Sequence, residues 1–264
     1  MNPKDVCVVI TSHNDADTIG DCLASARGLG CAVVVDSFST DGTASIAREA
    51  GAVVYMRPAG DAAGQKNWAL GRATGRWILS LDGCEKLGDG LAGLVEEAGD
   101  VDADAYALGV RNEYLGKVMT GRAAGPGVAV RLIRAGDHRF SADPLDATGA
   151  SVRVGPTVEQ LDGFVVRRRF RNVQLHFEEI NTVTTTAARQ YVDRGGRLAV
   201  LRMLLEPTVT FWRLYLARGG IRDGARGLMF CMLSAYQSFI KYAKAWELGV
   251  RGRGGNTQNG EEAG

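Results

Sequence analysis

The sequence predicts an α/β protein in which the N-terminal half forms a mostly parallel sheet and the C-terminal part is helical. Between residues 6 and 82, short β-branched runs alternate with stretches of helical periodicity, which is the pattern of βαβ units. The first run, Val6 to Ile10, is almost continuously apolar, as expected for a strand buried on both faces. Polar residues directly follow three of these runs, at the strand ends where open α/β sheets bind ligands.

The composition is that of a folded globular protein. The chain has 264 residues, of which 45% are hydrophobic and 23% charged, and its formal net charge of +1 gives no global support for a nucleic-acid partner. Five cysteines without a C-x-x-C pair argue against a disulfide framework or a zinc site and favour a reducing compartment. No run approaches the roughly 18 apolar residues of a membrane span, so we expect a cytoplasmic protein.

Strands and helices alternate through the N-terminal half. The predicted elements are strands at 6–10, 31–35, 53–56 and 77–81, with helices at about 18–27 and 43–50. The first helix is indicated by Ile19, Cys22, Leu23 and Ala26, which recur at i, i+3, i+4 and i+7. The polar loop 36–43 supplies Ser, Thr and Asp residues that are good N-caps for the second helix.

The pattern changes after about residue 104. Strand-like pieces at 105–110, 128–133 and 164–173, separated by Gly, Pro and Asp, predict antiparallel additions to the sheet. From about residue 182 the chain is helical to Leu248, and the tail that follows is too polar to pack. We therefore expect a first domain at 1–180, a helical extension at 181–248 and a disordered tail at 249–264.

Two acidic residues stand at predicted strand ends, Asp36 in V-V-V-D-S-F-S-T-D-G-T and Asp82 in L-S-L-D-G-C-E. A carboxylate there can accept a hydrogen bond from a nucleobase or ribose, or hold Mg²⁺ together with phosphate oxygens. A helix-capping role for the Asp36 loop is equally compatible with the spacing. Because the carboxyl ends of neighbouring strands share one edge, we expect Thr11, Asp36 and Asp82 to line one crevice.

These segments together resemble family 2 glycosyltransferases, the inverting enzymes with a GT-A fold that use nucleotide-activated sugars. The resemblance is carried by V-V-I-T-S-H-N-D, the Asp36 segment and G-Q-K-N-W-A-L-G-R-A-T-G-R-W-I-L-S-L-D. The later segments R-L-Y-L-A-R-G-G-I-R-D-G-A-R-G-L and F-I-K-Y-A-K-A-W-E-L resemble the lipopolysaccharide core branch, so the similarity covers roughly residues 5 to 248. It implies a Rossmann-like central sheet, as in nucleotide-diphospho-sugar transferases, with a helical C-terminal extension.

The resemblance also implies roles in binding the nucleotide-sugar. Thr11 and Asp15 would line the base pocket, Asp36 would recognise uracil or its equivalent, and Asp82 would hold the ribose. Three consecutive residues would lie beneath the diphosphate, with the central lysine as a positive point charge: Gln65, Lys66 and Asn67.

Two further residues are candidates for contacts with the donor. His176 occupies a place where the family often has a His near the diphosphate, although a structural role is equally compatible. Arg131, in V-A-V-R-L-I-R, resembles a segment of the lipopolysaccharide branch and is suited to phosphate or carboxylate. The neighbouring basic run, Arg167 to Arg169, is more simply a solvated strand face.

The acidic motif departs from the family pattern. Where the family has Asp-any-Asp, with the last Asp as the metal ligand, this chain has Cys84, and a neutral thiol is a poor ligand for Mg²⁺. Glu85, together with Asp82, is then the candidate for holding a divalent metal, Mg or Mn. Alternatively, Lys66 and Arg residues stabilise the departing diphosphate, or Cys84 is simply a small buried hydrophobe.

The acceptor region departs from the family as well, because residues 124–127 and 141–147 lack its acid-bearing aromatic stretch and His-Glu pair. Inverting transfer needs a general base for the acceptor hydroxyl. Asp143 and Asp146 are the catalytic candidates, and each is also compatible with a turn beside Pro144.

The C-terminal helical region is amphipathic and basic. Apolar residues recur at helical spacing from Leu228 to Leu248, and nine Lys or Arg face three Asp or Glu between 197 and 251. Such a segment favours peripheral contact with an anionic membrane surface, for example the inner membrane face, while packing against the domain or in a homo-oligomer is equally compatible.

The sequence therefore predicts an inverting glycosyltransferase of the hexosyltransferase type. It would move a sugar from a nucleotide donor, a UDP-sugar, to a hydroxyl acceptor on a glycolipid or small molecule. One alternative is a catalytically degenerate GT-A scaffold that binds nucleotide or a partner without sugar transfer. A second is a nucleotidyl- or phosphosugar-processing enzyme, which gains no support because the chain lacks a G-x-x-x-x-G-K-[ST] loop.

Overall fold

The computed structural model describes residues 1–97, 103–124, 127–136, 138–142, 150–196 and 198–254. The chain divides into two compact units, the first comprising residues 1–113 and 125–169 and the second comprising 114–124 and everything from 170 onward. The division thus falls near residue 170 rather than at the expected 180, and the second unit includes a segment from the middle of the chain.

A mixed sheet with helices forms the first unit, as predicted. Its main strands are β1 (Val6–Ser12), β2 (Cys31–Asp36), β3 (Val53–Met56), β4 (Trp77–Asp82), β5 (Glu85–Leu87) and β6 (Ala105–Tyr114). In the second unit, β7 covers Lys117–Val118, and the first unit continues with β8 (Val128–Arg134), β9 (Arg139–Ala142), β10 (Ala150–Arg153) and β11 (Val158–Phe170). The helices of this unit are α1 (Ala16–Ser25), α2 (Thr43–Glu49), α3 (Ala62–Leu70) and α4 (Leu91–Glu97).

The strand order confirms both parts of the predicted sheet. It runs β3-β2-β1-β4-β8-β6-β11-β5. The first four strands are parallel, and β8 pairs antiparallel with both β4 and β6. A separate antiparallel pair is formed by β9 and β10.

Strand β1 lies at the centre because its residues are apolar on both faces. Val8 and Ile10 pack with Ile19 of α1 in one core cluster, and Val9 packs with Ala69 of α3 in another. Successive strand residues point to opposite faces, so a continuous apolar run can be buried by helices on both sides. The sheet therefore holds the carboxyl end of β1 in a fixed place.

The cysteine prediction was wrong at two positions. Cys7 and Cys31 form a disulfide, and they are directly paired residues on the neighbouring strands β1 and β2. Pairing in a parallel ladder, which cysteine spacing does not reveal, brings these two side chains together. The free cysteines within the described residues are Cys22, Cys84 and Cys231.

Helices dominate the second unit, namely α5 (Val173–Asp193), α6 (Ala199–Trp212) and α7 (Gly224–Gly254). The strand expected up to residue 173 ends at Phe170. Helix α5 begins at Val173 and not at the expected residue 182, because Asn172 caps it by accepting a hydrogen bond from the Leu175 amide at 2.8 Å. The last helix likewise runs to Gly254, past the expected end at Leu248. Among the described residues, none of the helices combines the length and apolar character needed to cross a bilayer.

Candidate active site

The carboxyl ends of β1, β2 and β4 meet at one edge of the sheet. Ser12 pairs with Asp36 in the β1–β2 register, and Thr11 pairs with Asp82 in the β1–β4 register. The Thr11 hydroxyl also donates to Oδ1 of Asp82 at 3.1 Å. The structure therefore brings together the three polar strand ends that the sequence predicted to share an edge.

The loops after β1 and β2 are joined by reciprocal hydrogen bonds. Nδ1 of His13 lies 3.0 Å from the Ser37 carbonyl, and because a carbonyl only accepts, Nδ1 carries the proton. Asn14, with a left-handed φ of 54°, donates its amide to the Ser39 hydroxyl at 2.8 Å and accepts from the Thr40 amide at 3.0 Å. The two loops thus form one pre-organised platform.

Asp41 binds the first residues of two helices, although the N-cap of α2 is Gly42 and not one of the Ser, Thr or Asp residues that the sequence predicted. The Asp41 carboxylate accepts hydrogen bonds from the Ala16 amide at 3.0 Å and from the amide and hydroxyl of Thr43 at 3.1 and 2.5 Å. Burial alone would raise the pKa of Asp41, but these hydrogen bonds outweigh it and lower the pKa.

The two acids proposed for the base pocket take part in the same platform. Asp15 accepts hydrogen bonds from the Ser12 hydroxyl at 2.8 Å and the His13 amide at 3.1 Å. Asp36 is fully buried, and both its oxygens accept from Ser39, one from the amide at 2.8 Å and one from the hydroxyl at 2.5 Å. Asp36 therefore stabilises its own loop, and a base could reach it only by displacing a Ser39 hydrogen bond.

Lys66 reaches the end of β4 from α3, a helix that the sequence pattern did not predict. The helix begins because Asp61 accepts a hydrogen bond from the Gly64 amide at 2.6 Å. Nζ of Lys66 lies 2.5 Å from Oδ1 of Asp82, and the lysine side chain is only 3% exposed against 22% for the aspartate. The pair therefore has one buried partner and one partner that faces solvent.

The residues before and after Lys66 in the sequence bind other parts of the first unit with their side chains. Gln65 donates to the Pro58 carbonyl at 2.6 Å and accepts from Arg57 at 3.0 Å. Asn67 accepts from the Phe140 amide at 2.7 Å and donates to the Phe140 carbonyl at 2.9 Å, which ties α3 to β9. Of the three residues expected beneath a diphosphate, only Lys66 lies against Asp82.

Glu85 and Arg131 bind each other in the interior. Glu85 was expected to hold a metal, and Arg131 was expected to contact the donor. Glu85 is buried, and its Oε1 accepts from Arg131 at 2.7 Å and from Arg167 at 2.9 Å. Its Oε2 accepts from the Asp82 amide at 3.0 Å. Both carboxylate oxygens are therefore already used, and Arg167, expected on a solvated face, is buried as well.

Three cations act on the Asp82 carboxylate. Burial by itself would raise the pKa of this carboxyl, but Lys66, Arg131 and Arg167 hold it well below its ordinary value. The carboxylates Asp15, Asp82 and Glu85 all act on the neighbouring Cys84, so the three cations are matched by three acids at this strand end. A fixed cation beside a partly exposed carboxylate, as in the Lys66–Asp82 pair, suits a site that receives a polar anion.

The side chains at the end of β4 do not form a divalent-cation site by themselves. Burial, followed by the negative charges of Asp15, Asp82 and Glu85, raises the pKa of the Cys84 thiol far above neutrality, so the thiol stays protonated. Glu85 is buried and binds two arginines, whereas Oδ2 of Asp82 lies on the partly exposed carboxylate of this motif. No cluster of three or more His, Cys, Asp or Glu suited to a metal occurs in the described parts of the chain.

Gly83 is a residue of the site that was not among the residues predicted from the sequence. A Cβ at this position would lie 2.4 Å from Oδ2 of Asp15 and 2.5 Å from the Ser12 hydroxyl. Only glycine allows the β4 end to approach the Ser12–Asp15 hydrogen bond this closely. The signal in the sequence was a glycine directly after an acidic strand end.

His176 belongs to the second unit and lies in the first turn of α5 rather than at a strand end. Its ring stacks on Phe170 with centroids 4.1 Å apart, and Nδ1 lies 3.2 Å from the Tyr114 hydroxyl. Burial lowers its pKa to about 4, so the ring is neutral at pH 7. The candidate bases Asp143 and Asp146 lie outside the described residues.

Comparison with known proteins finds a family match in the N-terminal part of the chain and relatives over most of its length. Residues 7–125 match the model of glycosyl transferase family 2. The lipopolysaccharide core biosynthesis glycosyltransferase LpsC of Rhizobium meliloti is 28% identical over 255 residues, which cover 94% of each chain. An uncharacterized glycosyltransferase of Rickettsia typhi is 24% identical over 261 residues, covering 95% of this chain and 89% of the relative.

The solved structures that match this chain include S. aureus TarS 1-349, with 14% identity, coverage of 92% of this chain and 91% of that chain, and a TM-score of 0.47. Another is the mannosyltransferase PcManGT from Pyrobaculum calidifontis in complex with GDP-Man and Mn²⁺, with 16% identity, coverage of 94% and 75%, and a TM-score of 0.46. The family 2 match at residues 7–125 and the names of the relatives together support a glycosyltransferase, and the sheet is that of an α/β fold.

Proposed function

We propose that the protein transfers a sugar, with inversion, from a UDP-sugar to a hydroxyl group of a glycolipid or small-molecule acceptor. The observation that carries this proposal is the Lys66–Asp82 pair, which lies beside Thr11 at the end of β4, where Lys66, Arg131 and Arg167 keep Asp82 ionised. A nucleoside diphosphate is an anion with a polar nucleoside attached, and it matches this combination. The name of the relative LpsC supports a glycolipid acceptor of the lipopolysaccharide core type.

The donor would lie along the platform formed by the loops after β1 and β2. Thr11, Asp15 and Asp36 would contact the nucleoside, with Asp36 exchanging its Ser39 hydrogen bond for one from the base. Asp82 would accept a ribose hydroxyl through Oδ2, since Oδ1 already accepts from Thr11 and Lys66.

Lys66 would neutralise the diphosphate as it leaves. Breakage of the bond between the anomeric carbon and the diphosphate oxygen leaves the electron pair on UDP, and a fixed cation stabilises that developing charge. Arg131 and Arg167 add positive potential from the buried side without touching the donor, because both are bonded to Glu85. A protein-held metal is not required in this scheme.

The acceptor hydroxyl would lose its proton to a carboxylate as its oxygen attacks the anomeric carbon from the opposite face. Asp143 and Asp146 are our candidates for that base. The variants Asp143→Asn and Asp146→Asn test the two residues separately. Replacing the one that acts as the base should lower kcat by about 100-fold or more and leave the UDP affinity unchanged. If neither variant loses turnover, the base lies elsewhere.

Donor binding is tested by calorimetric titration of the full chain with UDP and GDP, each with and without Mn²⁺. We expect UDP to bind more tightly than GDP, with similar affinity in the presence and absence of Mn²⁺. Asp82→Asn should weaken UDP binding, whereas Asp89→Asn, at an exposed turn, is the matched control and should not. Absence of nucleotide binding in all conditions would overturn the donor assignment.

Transfer is tested by following UDP release from UDP-glucose, UDP-galactose and UDP-N-acetylglucosamine, with alkyl glycosides as acceptors. NMR of the product reports the anomeric configuration, and a β-linked product from these α-linked donors is expected. UDP binding without transfer or donor hydrolysis would favour the alternative of a catalytically degenerate scaffold. A retained α configuration would contradict the inverting mechanism.

A further inference from the structure

Helix α6 presents an apolar face that no described residue of the second unit covers. Its opposite side packs on α7, where the hydroxyls of Thr210 and Ser238 are 3.3 Å apart and Arg202 reaches the Tyr242 hydroxyl at 3.4 Å. Six large apolar side chains are 49% to 64% exposed, five on the outer side of α6 and one on the π-helical turn Arg213–Ala217 that continues it. We call this set the α6 face: Leu201, Leu204, Leu205, Val209, Trp212 and Leu216.

These side chains form a continuous stripe because their spacing follows the helix repeat. Leu201, Leu205, Val209, Trp212 and Leu216 are separated by three or four residues, and Leu204 lies beside them. Burial of large side chains normally stabilises a helix of this kind, yet here they face outward. A contiguous exposed patch of this composition marks an interaction surface.

Basic residues outnumber acidic ones in the sequence around the α6 face. Between residues 194 and 226 the sequence has seven Arg residues against two acids, Glu206 and Asp223. Asp223 is buried and bonded to Thr120 and the Gly121 amide, so it does not offset the surface charge. Arg213 lies between the last two residues of the apolar stripe, Arg218 and Arg222 follow the stripe, and all three arginines are exposed.

We propose that the α6 face inserts into the headgroup region of an anionic lipid bilayer. An apolar stripe bordered by arginines fits the boundary between acyl chains and anionic headgroups, where cations add attraction and a tryptophan anchors. A second copy of the chain is a poorer occupant, because a two-fold dimer through this face would bring the same arginines together. The inference concerns the second unit and does not depend on the proposed donor or acceptor.

Sedimentation of the full chain with phospholipid vesicles tests the proposal. We expect binding to vesicles that contain phosphatidylglycerol, weaker binding to pure phosphatidylcholine, and a loss of the difference at high salt. The double variant Leu204→Glu, Leu205→Glu should reduce the bound fraction about tenfold or more. The matched control, Val53→Glu with Val158→Glu, places two acids at exposed valines of the first unit and should bind like the wild type.

A charge variant separates the two contributions. Arg213→Gln, Arg218→Gln and Arg222→Gln together should abolish the preference for phosphatidylglycerol and leave the weaker binding to phosphatidylcholine unchanged. If the Leu204, Leu205 variant unfolds, as judged by circular dichroism, the conservative Trp212→Phe variant replaces it. Vesicles should shift the tryptophan emission of the wild type to the blue, and Trp212→Phe should lose most of that shift.

Three outcomes would overturn the proposal. They are failure of the wild type to bind phosphatidylglycerol vesicles, unchanged binding by a folded Leu204→Glu, Leu205→Glu variant, and a tryptophan shift that survives in Trp212→Phe. Light scattering without lipid identifies the competing occupant. A dimer in the wild type that becomes a monomer in the double variant, with vesicle binding retained, would assign the α6 face to self-association.

Discussion

The ammonium group of Lys66 lies 2.5 Å from Oδ1 of Asp82, so that a buried cation from α3 is held against a partly exposed carboxylate at the end of β4. The contact explains why Asp82 stays ionised despite its surroundings, and it fixes a positive charge at the ligand-binding edge of the sheet. Because Oδ1 also accepts from Thr11, three elements converge on one atom.

Replacing Lys66 tests whether this charge acts in catalysis. Lys66→Met should lower kcat for transfer or donor hydrolysis by roughly 100- to 1000-fold, because the cation for the departing diphosphate is lost. Lys66→Arg should retain part of the activity, since it keeps the charge with a different shape. Unchanged kcat in folded Lys66→Met would show that the lysine has only a structural function.

The same variant has a pH signature. The pKa of Asp82 is lower in the folded than in the unfolded protein. Its ion pair therefore stabilises the protein fully at pH values above the ordinary carboxyl pKa of about 4, and this stabilisation is lost as the pH falls below that value. Lys66→Met raises the pKa of Asp82, so the free energy of unfolding of this variant should fall less at acid pH than that of the wild type. Urea denaturation between pH 7 and pH 3 measures the difference.

Glu85 provides the second prediction, because it holds two arginines in the interior. Glu85→Gln should destabilise the protein by about 3 to 5 kcal/mol, since Arg131 and Arg167 would remain buried without a compensating charge. Asp21→Asn breaks the Asp21–Arg168 pair, in which Asp21 is 62% exposed, and should cost about 1 kcal/mol or less. Equal effects in urea denaturation would contradict the assignment of Glu85 as a buried structural acid.

The parallel strands and their polar ends were predictable because they depend on local patterns. Continuous apolar runs marked β1 and β4, and the polar loop after β2 marked the start of the second helix, although its N-cap is Gly42. Which partner each side chain takes depends on contacts between residues far apart in sequence. The sequence predicted a contact with phosphate or carboxylate for Arg131 and a solvated strand face for Arg167, whereas the sheet places both beside Glu85.

Helix α3 shows a different limit. Its segment contains glycine and polar residues without an apolar stripe, so helical periodicity gave no signal, although Asp61 is a good N-cap. The family resemblance brought Lys66 into the predicted site, but it also included Gln65 and Asn67, whose side chains bind Pro58 and Phe140. A linear motif does not tell which of its members point to the same place.

The Cys7–Cys31 disulfide leads to the third prediction. The two residues are 24 positions apart, and a cross-link of that span stabilises a folded chain by about 3 kcal/mol in the loop-entropy description. Reduction should therefore lower the midpoint of urea unfolding. The double variant Cys7→Ser, Cys31→Ser should have the lower midpoint already and show no response to reductant, whereas Cys231→Ser should respond like the wild type.

His176 supports the last prediction, which concerns the second unit alone. Burial among Tyr114, Phe170 and Phe230 lowers its pKa to about 4, below the value of about 6.5 in an unfolded chain. A histidine with a depressed pKa contributes its full stability above pH 6.5 and loses it as pH falls toward 4, by roughly 3 kcal/mol in total. The free energy of unfolding should thus fall over this range. NMR titration of the ring protons reports the pKa directly, and the sequence contains three histidines to distinguish.

The matched variants separate His176 from other groups that titrate between pH 6.5 and 4. The double variant Tyr114→Phe, His176→Phe removes the titrating ring together with its hydrogen-bond partner, 3.2 Å away, so that no buried polar group is left unpaired. Its unfolding free energy should depend less on pH in this range, while Tyr114→Phe alone should keep the wild-type dependence. A ring resonance that titrates near pH 6.5, or an unchanged slope in the double variant, would place His176 in contact with water and reopen a phosphate-binding function for it.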